Sequence, residues 1–127
     1  MTIRIVADKK PSKGRAINEV IEKHGGYRDG PFPEDYELWL RWLEAGVTFG
    51  KVDEALLTWN DPPQRLSRTD SRYSVEAFYS MKCLYLRRWL ESHAAGREVW
   101  LWGAGRVTRR RFDGIVDQIA GFIDVDE

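Results

Sequence analysis

The chain has 127 residues, 43% of them hydrophobic and 31% charged, which suits one globular domain able to bury its apolar surface without disulfides. Lys plus Arg number 20 and Asp plus Glu number 20, and the resulting zero net charge argues against a generic nucleic-acid or anionic-membrane binder. The single Cys83 excludes an intrachain disulfide and a multi-cysteine zinc site, and its apolar setting reads as a buried or half-buried thiol in a reducing compartment. The segment MTIRIVADKKPSKGR is too polar for a signal peptide, and no apolar run approaches the roughly 18 residues of a membrane span. A cytoplasmic protein with no membrane span is expected.

In chain order, IRIVA (3–7) alternates as a short strand, and DKKPSKG is a basic turn. RAINEVIEKHGG places Ile17, Val20, Ile21 and His24 at helical spacing, with Gly25 as the stop. YRDGPFP is loop, because Gly30, Pro31 and Pro33 forbid regular structure. A helix follows from about Glu34 to Ala45, with Leu38, Trp39, Trp42 and Leu43 on one face and Gly46 at its end. VTFGKV and EALLTWN read as two short strands, and DPPQRLSRTD (61–70) as a polar, Arg-rich loop. A long helix from about Ser74, its N-cap, to Ala94 carries the stripe Val75, Phe78, Tyr79, Tyr85, Leu86, Trp89 and Leu90, while Arg87, Arg88 and Glu91 face away. The tail reads as strand EVWLWGAG, helix RVTRRRFDGIV and strand IAGFIDVD. This is a βαβ unit whose two parallel strands need cover from the long helix, a partner chain or further sequence.

The six tryptophans are expected to be about two thirds core, the remainder lining an interface. His24 and His93 each end a helix, where a cation is favourable without any catalytic role. WLWGAGRVT opens like a dinucleotide fingerprint: Gly103 and Gly105 permit a tight turn and close approach to a pyrophosphate. Asp124 sits roughly 20 residues on, where a ribose-binding acid belongs. Thr108 occupies the third glycine position, and Arg106, Arg109, Arg110 and Arg111 add positive charge to the helix. The alternative is a tight strand-to-helix turn with no ligand. DVD (124–126) pairs two carboxylates at a strand end, as a divalent cation prefers, but no metal site is assigned. Glu34 and Asp35 complement the dipole of the helix they open, or else one of them is a catalytic base.

The run GGYRDGPFPEDYELWLRWLEAGVTFGKVDEALLTW resembles the C-terminal half of a glycosyltransferase family 2 catalytic domain, of GT-A type. The resemblance rests on Gly25, Gly26 and Tyr27, then the pair Glu34 and Asp35, then Leu38 to Arg41, then Ala45 and Gly46, then Leu56 to Trp59. Asn60 stands where the family often has Arg, and QRLSR resembles an acceptor-side loop. The match covers about residues 20–95, and the tail resembles a Rossmann-like extension after some bacterial members. The resemblance implies that Asp35, beside Glu34, is the general base toward an acceptor hydroxyl, with Tyr27, Arg28 and Asp29 bordering the acceptor. It also implies a nucleotide sugar and a divalent metal bound by a donor half that precedes this region. Only 24 residues stand before Gly25, so that half is expected to lie outside the chain, no cofactor is expected within it, and the chain alone is expected to lack activity.

The fold expected is mixed α/β. Residues 1–72 form a partial acceptor-side region, 73–96 a long connecting helix and 97–127 a truncated Rossmann-like βαβ unit with Gly103, Gly105 and Asp124 as its nucleotide-binding candidates. Expected partners are a carbohydrate or lipid-linked acceptor, and either a second copy or the missing donor-binding half. The competing readings are a non-enzymatic interaction module and a nucleotide-binding domain.

Overall fold

The computed structural model describes residues 3–5, 13–51 and 63–125. Strand β1 (Ile3–Ile5) is followed by helices α1 (Lys13–His24) and α2 (Glu34–Glu44) and strand β2 (Phe49–Lys51). A short helix α3 (Leu66–Thr69) and a 3₁₀ turn (Ser71–Tyr73) lead into the long helix α4 (Val75–His93). Strand β3 (Trp100–Trp102), helix α5 (Arg106–Arg111), a 3₁₀ segment (Asp113–Gln118) and strand β4 (Gly121–Ile123) complete the order. The architecture is helical with two small sheets, a coarse α/β mixture. No helix among the described residues is long and apolar enough to cross a membrane.

The sheets differ in kind. β1 pairs antiparallel with β2, Ile3 opposite Lys51 and Ile5 opposite Phe49. β3 runs parallel to β4, Trp100 opposite Gly121 and Trp102 opposite Ile123, as the βαβ reading expects. The strand expected at EALLTWN lies outside the described residues.

Helix α2 starts at Glu34, as expected, with Pro33 as its buried, extended N-cap (φ −66°). Its end is Gly46, whose φ of +80° is strained for any residue with a side chain. Leu38 and Trp42 are buried on α2, and Phe49 of β2 stacks on Trp42 with ring centroids 6.4 Å apart. Leu43 is exposed, so the apolar face is narrower than its spacing suggested.

Ser74 caps α4, its hydroxyl accepting from the Ala77 N–H at 3.1 Å. The single stripe expected on this helix gives way to two. Met81 and Tyr85 are buried on one side, and Cys83 and Leu90 on the other, about 160° around at 100° per residue. The first side packs against α2. The second packs against the C-terminal unit, where Ile115 has no exposed surface and Leu86, Val99, Leu101, Phe112 and Ile119 close around it. Val75 and Trp89, assigned to the core by spacing, are exposed because they lie between these two faces.

Three salt bridges fix α4 to its neighbours. Arg88 pairs with Glu44 of α2 at 3.1 Å, and Arg110 of α5 pairs with Glu76 at 2.9 Å. Arg87, expected to face away, instead reaches the C-terminal unit and donates to Asp117 at 2.6 Å and to the Gly114 carbonyl at 2.6 Å. Gly114 packs closely on α4, where a Cβ would stand 3.0 Å from the Cys83 Cβ. The helix expected over RVTRRRFDGIV stops at Arg111, and the Asp-Gly step, poor in helix propensity, continues as 3₁₀.

At the centre of the N-terminal half, Glu37 and Arg41, one turn apart on α2, are both buried and paired at 3.0 Å. Arg41 also donates to the carbonyls of His24, of Gly25 at 3.2 Å and of Gly26 at 2.6 Å. Tyr85 of α4 donates to Glu37 at 2.8 Å. Arg41→Ala leaves Glu37 buried without its main partner and frees the end of α1. We expect a loss of about 3–5 kcal/mol in urea unfolding, against under about 1 kcal/mol for a rim pair such as Arg110→Ala.

Candidate functional site

The site grows from the loop that Arg41 holds. Gly25 ends α1 with φ +79°, its N–H donating to the Ile21 carbonyl at 2.8 Å. The Trp42 indole N–H donates to the Gly25 carbonyl at 3.1 Å. With Gly25 and Gly26 fixed by α2, Tyr27 projects into solvent, 70% exposed. Asp29 accepts from the Gly30 N–H at 3.1 Å, and buried Pro33 delivers Glu34 and Asp35 as the first two residues of α2.

A cavity of about 450 Å³ opens here, lined by Tyr27, Glu34, Asp35, Tyr73 and the segment Arg65–Ser67. Three stretches separated in the sequence therefore meet: the loop after α1, the start of α2, and the region around α3. The segment expected as a plain polar loop is ordered instead. Leu66–Thr69 form a helical turn, and Asp70 caps the next one by accepting from the Arg72 N–H at 2.9 Å. The Arg72 guanidinium also grips Asp70 at 2.7 Å. That turn presents Tyr73 to Glu34.

Asp35 is half-buried at this cavity. Its Oδ1 accepts from the Tyr36 N–H at 2.7 Å, and among the described residues Oδ2 accepts no hydrogen bond. Glu34 Oε1 accepts from the Tyr73 hydroxyl, while its Oε2 is enclosed and has no hydrogen-bond partner among the described residues. The Tyr73 hydroxyl, with the residue's own amide N–H, holds the Glu34 carboxyl below the ordinary carboxylate range. The same hydrogen bond pushes the Tyr73 phenol up to about 12. Behind the cavity, burial pushes the Glu37 carboxyl upward, but the hydrogen bonds from Arg41 and Tyr85 outweigh it and the net shift is downward. Burial, then the bond to Glu37, pushes Tyr85 up to about 12.

Of the residues singled out by sequence, Tyr27, Glu34 and Asp35 converge on the cavity. Arg28 and Asp29 do not line it. Arg28 lies 3.6 Å from Glu37, and the exposed Asp29 lies 3.7 Å from Arg72. Tyr73 was missed, since its bond to Glu34 joins residues 39 apart. Glu37 was also missed, although an acid four residues before Arg41 on a helix is a readable pair.

Gly103, Gly105 and Asp124 belong to the C-terminal unit and do not line this cavity. Gly103 has φ +104° and its N–H donates to the Ile123 carbonyl at 2.7 Å, so the turn abuts the strand that leads into Asp124. The Thr108 hydroxyl lies 3.5 Å from where a Gly103 Cβ would stand. Arg109 is folded back, donating to the Ala104 carbonyl at 2.7 Å and covering the Phe122 ring. Asp124 is exposed and accepts from the Val125 N–H at 3.1 Å. A larger groove of about 970 Å³ lies between α4 and α5, with Arg106, Arg110 and Arg111 on its wall, but none of the three nucleotide-binding candidates lines it. Among the described residues no three His, Cys, Asp or Glu side chains gather as a metal site. Asp126, the second acid of DVD, lies outside them. Cys83 is buried, and burial raises its thiol.

Of the five described tryptophans, Trp42 is buried and Trp39 half-buried, while Trp89, Trp100 and Trp102 are exposed. More of the indole surface faces out than composition suggested. Comparison with protein-family models, curated proteins and solved structures finds no match.

The lowered carboxyls of Glu34 and Glu37 contribute to an acid limit. A depressed folded-state value contributes stability that is fully present above the ordinary value of 4.5 and is lost as the pH falls through the lowered ones. Circular dichroism across an acid titration should therefore show unfolding that begins below 4.5. Tyr85→Phe, which leaves Glu37 one donor short, should cost about 1–3 kcal/mol at neutral pH.

Proposed function

We propose that this chain carries the acceptor side of a glycosyl-transfer site, the role implied by its resemblance to family 2 glycosyltransferases. The acceptor hydroxyl docks in the cavity at the start of α2. Asp35 takes its proton as the oxygen forms a bond to the anomeric carbon, the bond from that carbon to the donor's phosphate oxygen breaks, and nucleoside diphosphate leaves. The donor half and its divalent cation are supplied by residues other than those described.

One observation carries this reading: the Asp35 carboxylate is only half-buried, lines an open cavity and keeps one oxygen uncommitted among the described residues. A general base needs that access to the proton it removes. A carboxylate serving only to cap α2 would have no need of a cavity. The supporting arrangement is the meeting of Tyr27, Glu34 and Asp35 with the Arg65–Ser67 segment, the same blocks on which the resemblance rests. Tyr27 offers an exposed ring face at the rim, suited to the apolar face of a sugar.

Titration of the isotope-labelled chain with methyl pyranosides at millimolar concentration tests this. Amide shifts should concentrate at Tyr27, Asp35 and Ser67, and Tyr27→Ala should weaken binding about tenfold, the equivalent of about 1.4 kcal/mol. Nucleotide sugars incubated with this chain alone should remain intact. Silence at all cavity residues across the sugar panel sinks the reading.

A further inference from the structure

The groove between α4 and α5 is larger than the cavity at Asp35 and plays no part in the proposed transfer. Its α4 side runs from Val75 to Arg87. At 1.5 Å per residue that is about 18 Å, the length of about three helical turns. Val75, Leu84 and Val107 stand in it 49%, 45% and 61% exposed. Single exposed aliphatics are ordinary, but three along one concavity mark a surface that gains by being covered.

The charge around this aliphatic strip is one-sided, although the chain as a whole is neutral. Four arginines line the groove against two acids, Glu76 and Asp113. Arg87 is taken by Asp117 and Arg110 by Glu76. Arg106 and Arg111 form no ion pair among the described residues, and neither does Asp113. The Arg111 guanidinium instead lies 4.8 Å from the centre of the Tyr79 ring, and the Lys82 ammonium lies 4.6 Å from the centre of the same ring. One tyrosine therefore gathers two like charges, whose repulsion an anion would relieve.

We propose that this groove docks an acidic amphipathic helix of a partner protein, its apolar face on Val75, Leu84 and Val107 and its carboxylates toward Arg106, Arg111 and Lys82. Helix-in-groove recognition uses both elements found here, an apolar strip a few turns long and flanking charge of opposite sign. Nucleic acid fits less well, because the strip offers aliphatic surface where a single strand needs stacking rings and a duplex an unbroken basic track. The groove and the Asp35 cavity share no lining residue, so helix docking and acceptor binding are measured separately.

The test is the anisotropy of a dye-labelled peptide of about twelve residues, leucines at i, i+3, i+4 and i+7 and glutamates elsewhere, titrated with the full chain. Binding should saturate, and amide shifts of the isotope-labelled chain should concentrate at Leu84, Arg106 and Val107. Exchanging the glutamates for glutamine, or the leucines for serine, should weaken binding about tenfold or more. Arg106→Glu and Val107→Ser change exposed side chains, and each should weaken it about fivefold or more with the circular dichroism unchanged. Lys23→Glu makes the same charge change at an exposed position of α1 outside the groove, and should leave affinity within about twofold. Equal affinity for the glutamate and glutamine peptides, or an equal loss from Lys23→Glu, overturns the proposal. So does the absence of shifts along the groove, or tighter binding of a single-stranded oligonucleotide of the same charge.

Discussion

The Glu37–Arg41 pair is the constraint from which the N-terminal half of this protein follows. Two opposite charges have been taken out of water on one turn of α2, and such a pair is tolerable only when its remaining donors and acceptors are filled. They are: the guanidinium spans the last carbonyls of α1 and of the glycine loop, and the carboxylate receives Tyr85 from α4. One ionic contact therefore fixes the exit of α1, the course of the loop that carries Tyr27, and the packing of α2 on α4. The carboxylates that open α2 owe their position to it, because the helix they begin is clamped one turn later.

Around that clamp, α4 acts as a central post. Its two buried faces serve two different neighbours, α2 on one side and the C-terminal unit on the other. This answers the stability problem of a two-stranded parallel sheet, which has little core of its own. Leu101 and Ile119 reach the cluster around Ile115, and Arg87 ties the 3₁₀ segment to the helix. The cavity at the start of α2 and the glycine turn at Gly103 share no lining residue.

Much of the secondary structure was legible because punctuation and periodicity agreed. Pro33 and Gly46 bracket α2, Ser74 marks the start of α4, and WLW and GFI flank a glycine turn. What was not legible came from distance and superposition. Two apolar faces nearly opposite on α4 blur into one broad stripe, so Val75 and Trp89 were placed inside and Met81 was overlooked, while Cys83 was read as buried from its apolar setting alone. Arg87 reads as solvated until Asp117, 30 residues on, is folded against it. The acidic pair at 34 and 35 was visible as a candidate. Its partner Tyr73 was not, because nothing local marks a tyrosine that bonds across 39 residues.

The alternation of β3 leaves Trp100 and Trp102 on the outward side of the parallel sheet, with Trp89 also open to water on α4. Among the described indoles, native fluorescence is thus drawn largely from rings already hydrated, with Trp42 the buried emitter. The spectral red shift on denaturation will be muted, and iodide will quench much of the folded protein's emission.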